Sequence, residues 1–143
     1  MGLTIYTGGT FDLLHAGHVN FLEQCRAIAG MGEVVVSLNT DEFIELYKGK
    51  PPVMNYEERK AVLEGIRYVD QVVPNVGGHD STIAIEQVKP NLIVVGSDWA
   101  RRNYYGQMCF DQDWLDERGI MLCYVPYTQG ISSTEIKARL AVN

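Results

Sequence analysis

Short apolar, β-branched runs recur along the chain at residues 3–6, 33–38, 71–73, 92–95 and 121–125. The segments between them follow a helical period. Residues 19–29 place Phe21, Leu22, Cys25, Ile28 and Ala29 on one face, at spacings of three and four, with Glu23 and Arg26 on the other side. Residues 56–67 repeat this more loosely through Tyr56, Ala61, Leu63 and Ile66, and 81–88, 112–117 and 133–140 complete the set. Strand alternating with helix predicts an α/β fold: a Rossmann-like single domain over residues 1–143, with a five-stranded parallel sheet and helices on both faces. The run 92–95 is apolar at every position, as a strand covered on both sides must be.

Two stretches lack a period: 47–55, with Gly49, Pro51 and Pro52, and 100–110, rich in Arg and Tyr. Long irregular loops in a compact domain are commonly functional. In an open α/β sheet the ligand lies beyond the carboxyl ends of the strands. The turn after the first strand, the corners at 39–41 and 96–99, and the loop 126–131 are therefore expected to gather on one side.

Composition narrows the class. A chain of 143 residues, 46% apolar, can bury a real core as one domain. Its unbroken apolar runs are too short to span a membrane, and the first residues lack the pattern of a signal peptide, so a cytoplasmic protein is expected. Cys25, Cys109 and Cys123 contain no Cys-x-x-Cys, which argues against a disulfide framework or a zinc site. Cys25 and Cys123 are expected to be buried thiols. A net charge of −6 argues against a nucleic-acid partner. It leaves room for a nucleotide, which needs only local positive charge. Lys48 with Lys50, Arg59 with Lys60, Arg101 with Arg102, and Lys137 with Arg139 offer such clusters.

The most informative motif is Gly8-Gly-Thr-Phe-Asp-Leu-Leu-His15-Ala-Gly-His18, at a strand-to-helix junction. Residues 7–12 supply backbone N–H groups and two glycines that admit a phosphate closely, and Thr10 adds a hydroxyl. Two imidazoles three residues apart can face an anion in the turn. The alternative is that His15 caps the helix and His18 is a core histidine. A second motif, Gly130-Ile-Ser-Ser-Thr-Glu-Ile-Lys137, has capping-box spacing with Ser132 as N-cap and Glu135 three residues on. It reads either as a further phosphate site or as a well-capped final helix. The Walker pattern and the Gly-x-Gly-x-x-Gly fingerprint are absent.

These motifs resemble the His-x-Gly-His nucleotidylyltransferase superfamily, and within it the glycerol-3-phosphate cytidylyltransferases. The likeness is carried by residues 9–18, by Asn39-Thr-Asp-Glu-Phe43 with Lys48-Gly-Lys50, by Tyr56-Glu-Glu-Arg-Lys60 through Arg67-Tyr-Val-Asp70, and by Gly96-Ser-Asp-Trp99 with residues 130–134. The resemblance implies transfer of CMP from CTP to a small phosphorylated alcohol, with release of pyrophosphate. It implies that His15, His18, Thr10 and Lys50 act at the reacting phosphates. Nucleotide contacts are implied for Gly8, Gly9, Phe11, Asp12, Asp98, Thr128, Gly130, Ile131, Ser132, Ser133 and Thr134. Lys48, Arg67, Asp70, Trp99 and Arg101 fall to the acceptor side, with an Arg67–Asp70 salt bridge as the plain alternative for that pair. A Mg²⁺ held mainly by nucleotide oxygens and water is implied, as is a homodimer.

Two departures keep base and acceptor open. Where the family reads Arg-Thr-x-Gly-Ile-Ser, this chain reads Tyr127-Thr-Gln-Gly-Ile-Ser132. Tyr127 can stack on a base, and Arg101 or Arg102 can supply the missing charge. The segment 100–106, Ala-Arg-Arg-Asn-Tyr-Tyr-Gly, is longer and more basic and aromatic than the family pattern. An adenylyltransferase acting on a sugar phosphate or FMN, or a nucleotide-binding sensor without catalysis, is the competing reading.

Overall fold

The computed structural model describes residues 2–126 and 128–142. Tyr127, proposed to stack on a base, lies outside the described residues. Five strands, β1 (Thr4–Gly9), β2 (Glu33–Leu38), β3 (Gln71–Pro74), β4 (Leu92–Gly96) and β5 (Met121–Val125), form one parallel sheet in the order β3-β2-β1-β4-β5. The chain winds outward from β1 to β3, then crosses back to β4 beside β1. That reversal opens a crevice at the carboxyl ends of β1 and β4, where ligands of such sheets bind.

Strand alternation gives each face its own core. On one side Ile5, Val34, Leu92 and Val94 pack against Cys25 and Ala29 of α1 (Ala16–Ala29). Val36, Leu38 and Val72 continue that face against Leu22 and against Leu63 of α3 (Tyr56–Glu64). On the other side Tyr6, Ile93 and Val95 meet Ala84 and Ile85 of α4 (Thr82–Val88), Tyr104 of α5 (Tyr104–Met108) and Leu115 of α6 (Gln112–Arg118). The final helix α7 (Ser133–Val142) returns to the first turn, where Ser133 Oγ donates to the Asp12 carbonyl at 2.7 Å. Among the described residues no helix is long and apolar enough to cross a membrane.

The structure departs from the sequence pattern in four places. First, β1 does not stop before the glycines: Gly8 and Gly9 stay in register with Ser37 and Leu38. The turn follows them, and its left-handed positions are Phe11 (φ 50) and Leu13 (φ 52) rather than glycines. Second, residues 41–48 form a helix, α2 (Asp41–Lys48), whose one buried side chain is Ile44. Third, most of 100–110 is ordered into the 3-10 turn Ser97–Arg101 and α5, held by an aromatic cluster of Trp99, Tyr104, Phe110 and Trp114. Fourth, Cys123 is half-buried because β5 is an edge strand, whereas Cys25 is fully buried and its thiol is pushed up to about 12 by burial.

One buried charge organises the crevice. Arg59 is fully buried, so it is not part of a ligand-facing cluster with Lys60 as its sequence neighbourhood implies. Its Nε donates to Met54 O at 2.9 Å, Nη1 to Thr10 O and Asn39 O at 2.8 and 2.9 Å, and Nη2 to Asp41 Oδ1 at 2.6 Å. The other Asp41 oxygen accepts from Tyr56 N at 3.1 Å. Asp12 works alongside: its two oxygens accept from Val53 N at 2.7 Å and Met54 N at 2.9 Å. The first turn, the end of β2, the start of α2 and the loop before α3 are thereby one hydrogen-bonded unit.

Replacing Arg59 by Met should cost about 3 kcal/mol or more, because three carbonyls and a carboxylate lose their donor. Lys should recover less than half of that, since an ammonium cannot span four separated acceptors. Urea unfolding measures both; a loss under about 1 kcal/mol, the range of an exposed ion pair, would contradict the organising role.

Candidate active site

The spacing of His15 and His18 has a local physical cause. His15 is the N-cap of α1, and its Nδ1 accepts from Gly17 N at 3.0 Å. His18, three residues on, sends its Nδ1 back to accept from His15 N at 3.1 Å. The pair is a reciprocal capping box built from imidazoles. Gly17 makes it possible: a Cβ there would lie 2.8 Å from His15 Cε1. The capping and the phosphate readings of these histidines are therefore compatible.

The cap fixes the chemistry of both rings. With Nδ1 accepting, the proton of each neutral imidazole sits on Nε2 and points away from the helix backbone. Burial lowers the pKa of His15. His18 is set deeper, and burial together with neighbouring His15 pushes it down to about 4, against the opposing pull of Asp12. The rings lie 3.9 Å apart between centroids, tilted by 39°. Two neutral N–H donors thus sit at the positive end of a 14-residue helix, an arrangement suited to phosphate oxygens.

Two cavities flank this turn, and Trp99 lines both. The first, about 220 Å³, is bordered by His15, His18, Asp98, Thr128, Ile131 and Ser132. It brings together much of the nucleotide set implied by resemblance. Ser132 Oγ accepts from Glu135 N at 3.1 Å, so it caps α7, while the Glu135 carboxylate pairs with Arg139. The second cavity, about 510 Å³, reaches from Gly8, Gly9 and Thr10 to Lys48 and Arg102.

Other expected site residues stand elsewhere. Asp12 is buried with both carboxylate oxygens committed to loop amides, which makes it a structural clamp rather than a nucleotide or metal ligand. Phe11 is in the core, 5.5 Å from the His18 ring. Asp70 is at the amino end of the sheet, where it accepts from Val34 N at 2.7 Å and pairs with Arg26 at 2.6 Å. That is the end opposite the cavities, so it leaves the acceptor side. Its ion-pair partner is Arg26 and not Arg67, whose guanidinium lies 5.1 Å over the Tyr68 ring in the same connection. Lys50 is exposed beyond the Gly49 cap of α2 and borders neither cavity, and Arg102 takes the place expected for Arg101. Gly130 (φ 79) and Thr134 are exposed at the entry to α7.

The sequence reading missed the far wall of the second cavity. Asn75, His79 and Gln107 border it. A signal was present: Gly77-Gly-His-Asp80 begins three residues after the end of β3, and so belongs to the carboxyl end of the sheet.

A sequence profile described as cytidylyltransferase-like matches residues 6–139. The chain is 38% identical over 137 residues to glycerol-3-phosphate cytidylyltransferase of Bacillus subtilis (strain 168), covering 96% of each chain. This protein belongs to the cytidylyltransferase-like family. FAD synthase of Pyrococcus horikoshii is 40% identical over 96 residues, which is 67% of this chain and 64% of that one. Among solved structures, a lipopolysaccharide core biosynthesis protein of Thermoplasma volcanium shares the fold, with a TM-score of 0.70 at 24% identity over 90% of this chain and all of that one. The paired histidine caps of this cytidylyltransferase-like chain lie within the matched residues.

The cap makes a spectroscopic prediction. In an NMR titration His18 should remain a neutral Nε2–H tautomer until the pH falls to about 4. An unfolded chain takes up that proton near the ordinary 6.5, so the stability linked to His18 is present above pH 6.5 and is lost as the pH falls towards 4. A midpoint at 6.5 in the folded protein would contradict the buried cap.

Proposed function

We propose that this protein transfers CMP from CTP to a small phosphorylated alcohol, glycerol 3-phosphate or a relative of it, and releases pyrophosphate. The observation that carries this reading is the pair of imidazole caps that line the first cavity and keep their Nε2–H groups as donors. An oxygen of the acceptor phosphate attacks the α-phosphorus of CTP. The bond to the bridging oxygen breaks, and its electron pair leaves with pyrophosphate. The nucleophile is already an anion, so no side chain has to remove a proton. What the reaction demands is alignment of two mutually repelling anions and stabilisation of charge on the α-phosphoryl and departing oxygens.

The residues divide these tasks. His15 and His18 donate from Nε2 to the phosphoryl oxygens, reinforced by the amino end of α1. The nucleotide occupies the first cavity, beside Asp98, Thr128 and Ile131. The β- and γ-phosphates meet the exposed amides at the start of α7. The Ser133 hydroxyl is engaged with Asp12 O, so its contribution there is the amide. Lys48 and Arg102 face the second cavity and neutralise the acceptor phosphate. Thr10 Oγ1 accepts from Asn39 Nδ2 at 3.2 Å and lies 3.0 Å from Tyr47 Oη, which orients its hydroxyl at the mouth of that cavity.

Among the described residues no three His, Cys, Asp or Glu side chains converge as a metal cage. The reaction calls for a Mg²⁺ carried mainly on phosphate oxygens and water, and Asp98 is the carboxylate in the lining of the first cavity. Such an ion would supply charge neutralisation on the triphosphate. The family likeness also favours a homodimer working in the cytoplasm. CTP is favoured over ATP because similarity to the Bacillus subtilis enzyme runs the length of both chains, while similarity to the FAD synthase stops at about two thirds.

Pyrophosphate release should be faster with CTP than with ATP by about tenfold or more; the reverse order would move the protein to the adenylyl branch. His18→Ala should lower kcat by about 10²–10³ while CTP affinity changes only a few-fold, as for loss of a transition-state donor. Unchanged turnover would overturn the role given to the cap.

A further inference from the structure

The second cavity is more specific than its place beside the turn requires. At about 510 Å³ it falls within the ~300–1,000 Å³ range of pockets that enclose drug-sized ligands. A three-carbon alcohol phosphate would leave much of it to water. Its charge is one-sided. Lys48 and Arg102 face it, and no carboxylate is among its described lining residues. An ammonium group on the acceptor would have no counter-ion there. Two of its aromatic faces already carry a cation, Tyr47 under Lys48 Nζ at 5.6 Å and Trp99 under the Arg102 guanidinium at 5.4 Å.

Beside the β3–α4 loop the lining holds an unused acceptor. Asn75 is buried, and its Nδ2 donates to Asn39 Oδ1 at 2.9 Å and to Gly78 O at 3.0 Å. Those two bonds fix the amide, and they leave its buried Oδ1 without a partner. An unsatisfied buried acceptor costs free energy until a donor reaches it. Gly78 (φ 58) then turns the loop so that His79 stands edge-on to Phe43, with ring centroids 4.9 Å apart. His79 and Gln107 add polar groups to the lining.

We propose that the second cavity takes the phosphate of a polyol or sugar of roughly five or more carbons, with Asn75 and His79 reading its distal hydroxyls. The phosphate sits with Lys48 and Arg102, and the carbon chain runs towards the β3–α4 loop. This rests on the nucleotidyl-transfer reading and names its acceptor class.

The test is pyrophosphate release by the full chain with CTP and Mg²⁺ across glycerol 3-phosphate, phosphocholine, phosphoethanolamine, a pentitol 5-phosphate, hexose phosphates and FMN. A pentitol or hexose phosphate should exceed glycerol 3-phosphate in kcat/KM by about tenfold or more, and both amino-alcohol phosphates should fall below it. His79→Ala, at an exposed position, should raise KM for the preferred long acceptor by about fivefold or more while leaving KM for CTP and for glycerol 3-phosphate within about twofold. Asn75→Ala should act in the same direction if it folds, and His79→Ala decides the matter if it does not. Fastest release with glycerol 3-phosphate, an amino-alcohol phosphate or FMN would overturn the acceptor class while nucleotidyl transfer stands. Equal effects of His79→Ala on long and short acceptors would overturn the reading of the far wall. Silence with every acceptor would overturn nucleotidyl transfer itself, and the acceptor class with it.

Discussion

Arg59 ties the loop before α3 and the start of α2 to the paired ends of β1 and β2. One guanidinium bridges the first turn through Thr10, the end of β2 through Asn39, the loop before α3 through Met54, and α2 through Asp41. Desolvating it is costly, and the fourfold donation is what makes its burial tolerable. Around it the chain also accepts left-handed backbone at Phe11 and Leu13, conformations that disfavour side chains by about 1–2 kcal/mol each. The Asp12 carboxylate, held between Val53 N and Met54 N, locks the residue between them. This rigid platform presents Thr10 to one cavity and the histidine cap to the other.

The cap shows how a stability device becomes a chemical one. Helix starts need acceptors for their orphan amides. Here the acceptors are Nδ1 atoms, so satisfying the helix also fixes the tautomer. Each ring keeps one N–H, neutral and directed by the backbone rather than by a partner carboxylate. A capping Ser or Asp would satisfy α1 equally well and leave no such donor. The requirement for Gly17 follows from the same geometry, since the His15 ring folds back over that position.

Much of the fold was legible because its strands are apolar throughout and α1 has a clean face. What failed to show did so for identifiable reasons. The continuation of β1 through Gly8 and Gly9 has no side-chain pattern to display. In α2, Leu46 and Tyr47 point outward, which breaks the apolar period. Its caps, Thr40 at the start and Gly49 (φ 77) at the end, were nonetheless readable. Arg59, set among Glu57, Glu58 and Lys60, reads as a solvated face, and only assembly of distant loops reveals it as buried. Within the site, the histidine motif and the start of α7 were visible from spacing. Asn75 and His79 were not, because a glycine-rich loop after a strand looks like any turn until the sheet order places it at the crevice. Lys50, Arg67 and Asp70 show the converse: a motif can be matched while its side chains lie outside both cavities.

The central claim is that both imidazoles work as neutral Nε2–H donors. The pH dependence of kcat/KM for CTP, at saturating acceptor, tests it most directly. With neutral donors the profile should stay level from about pH 7 to 9, because the His18 pKa, pushed down to about 4, leaves the ring neutral throughout that range. If an imidazolium were required, the rate would fall about tenfold per pH unit across that range, and the account of the cap would be wrong.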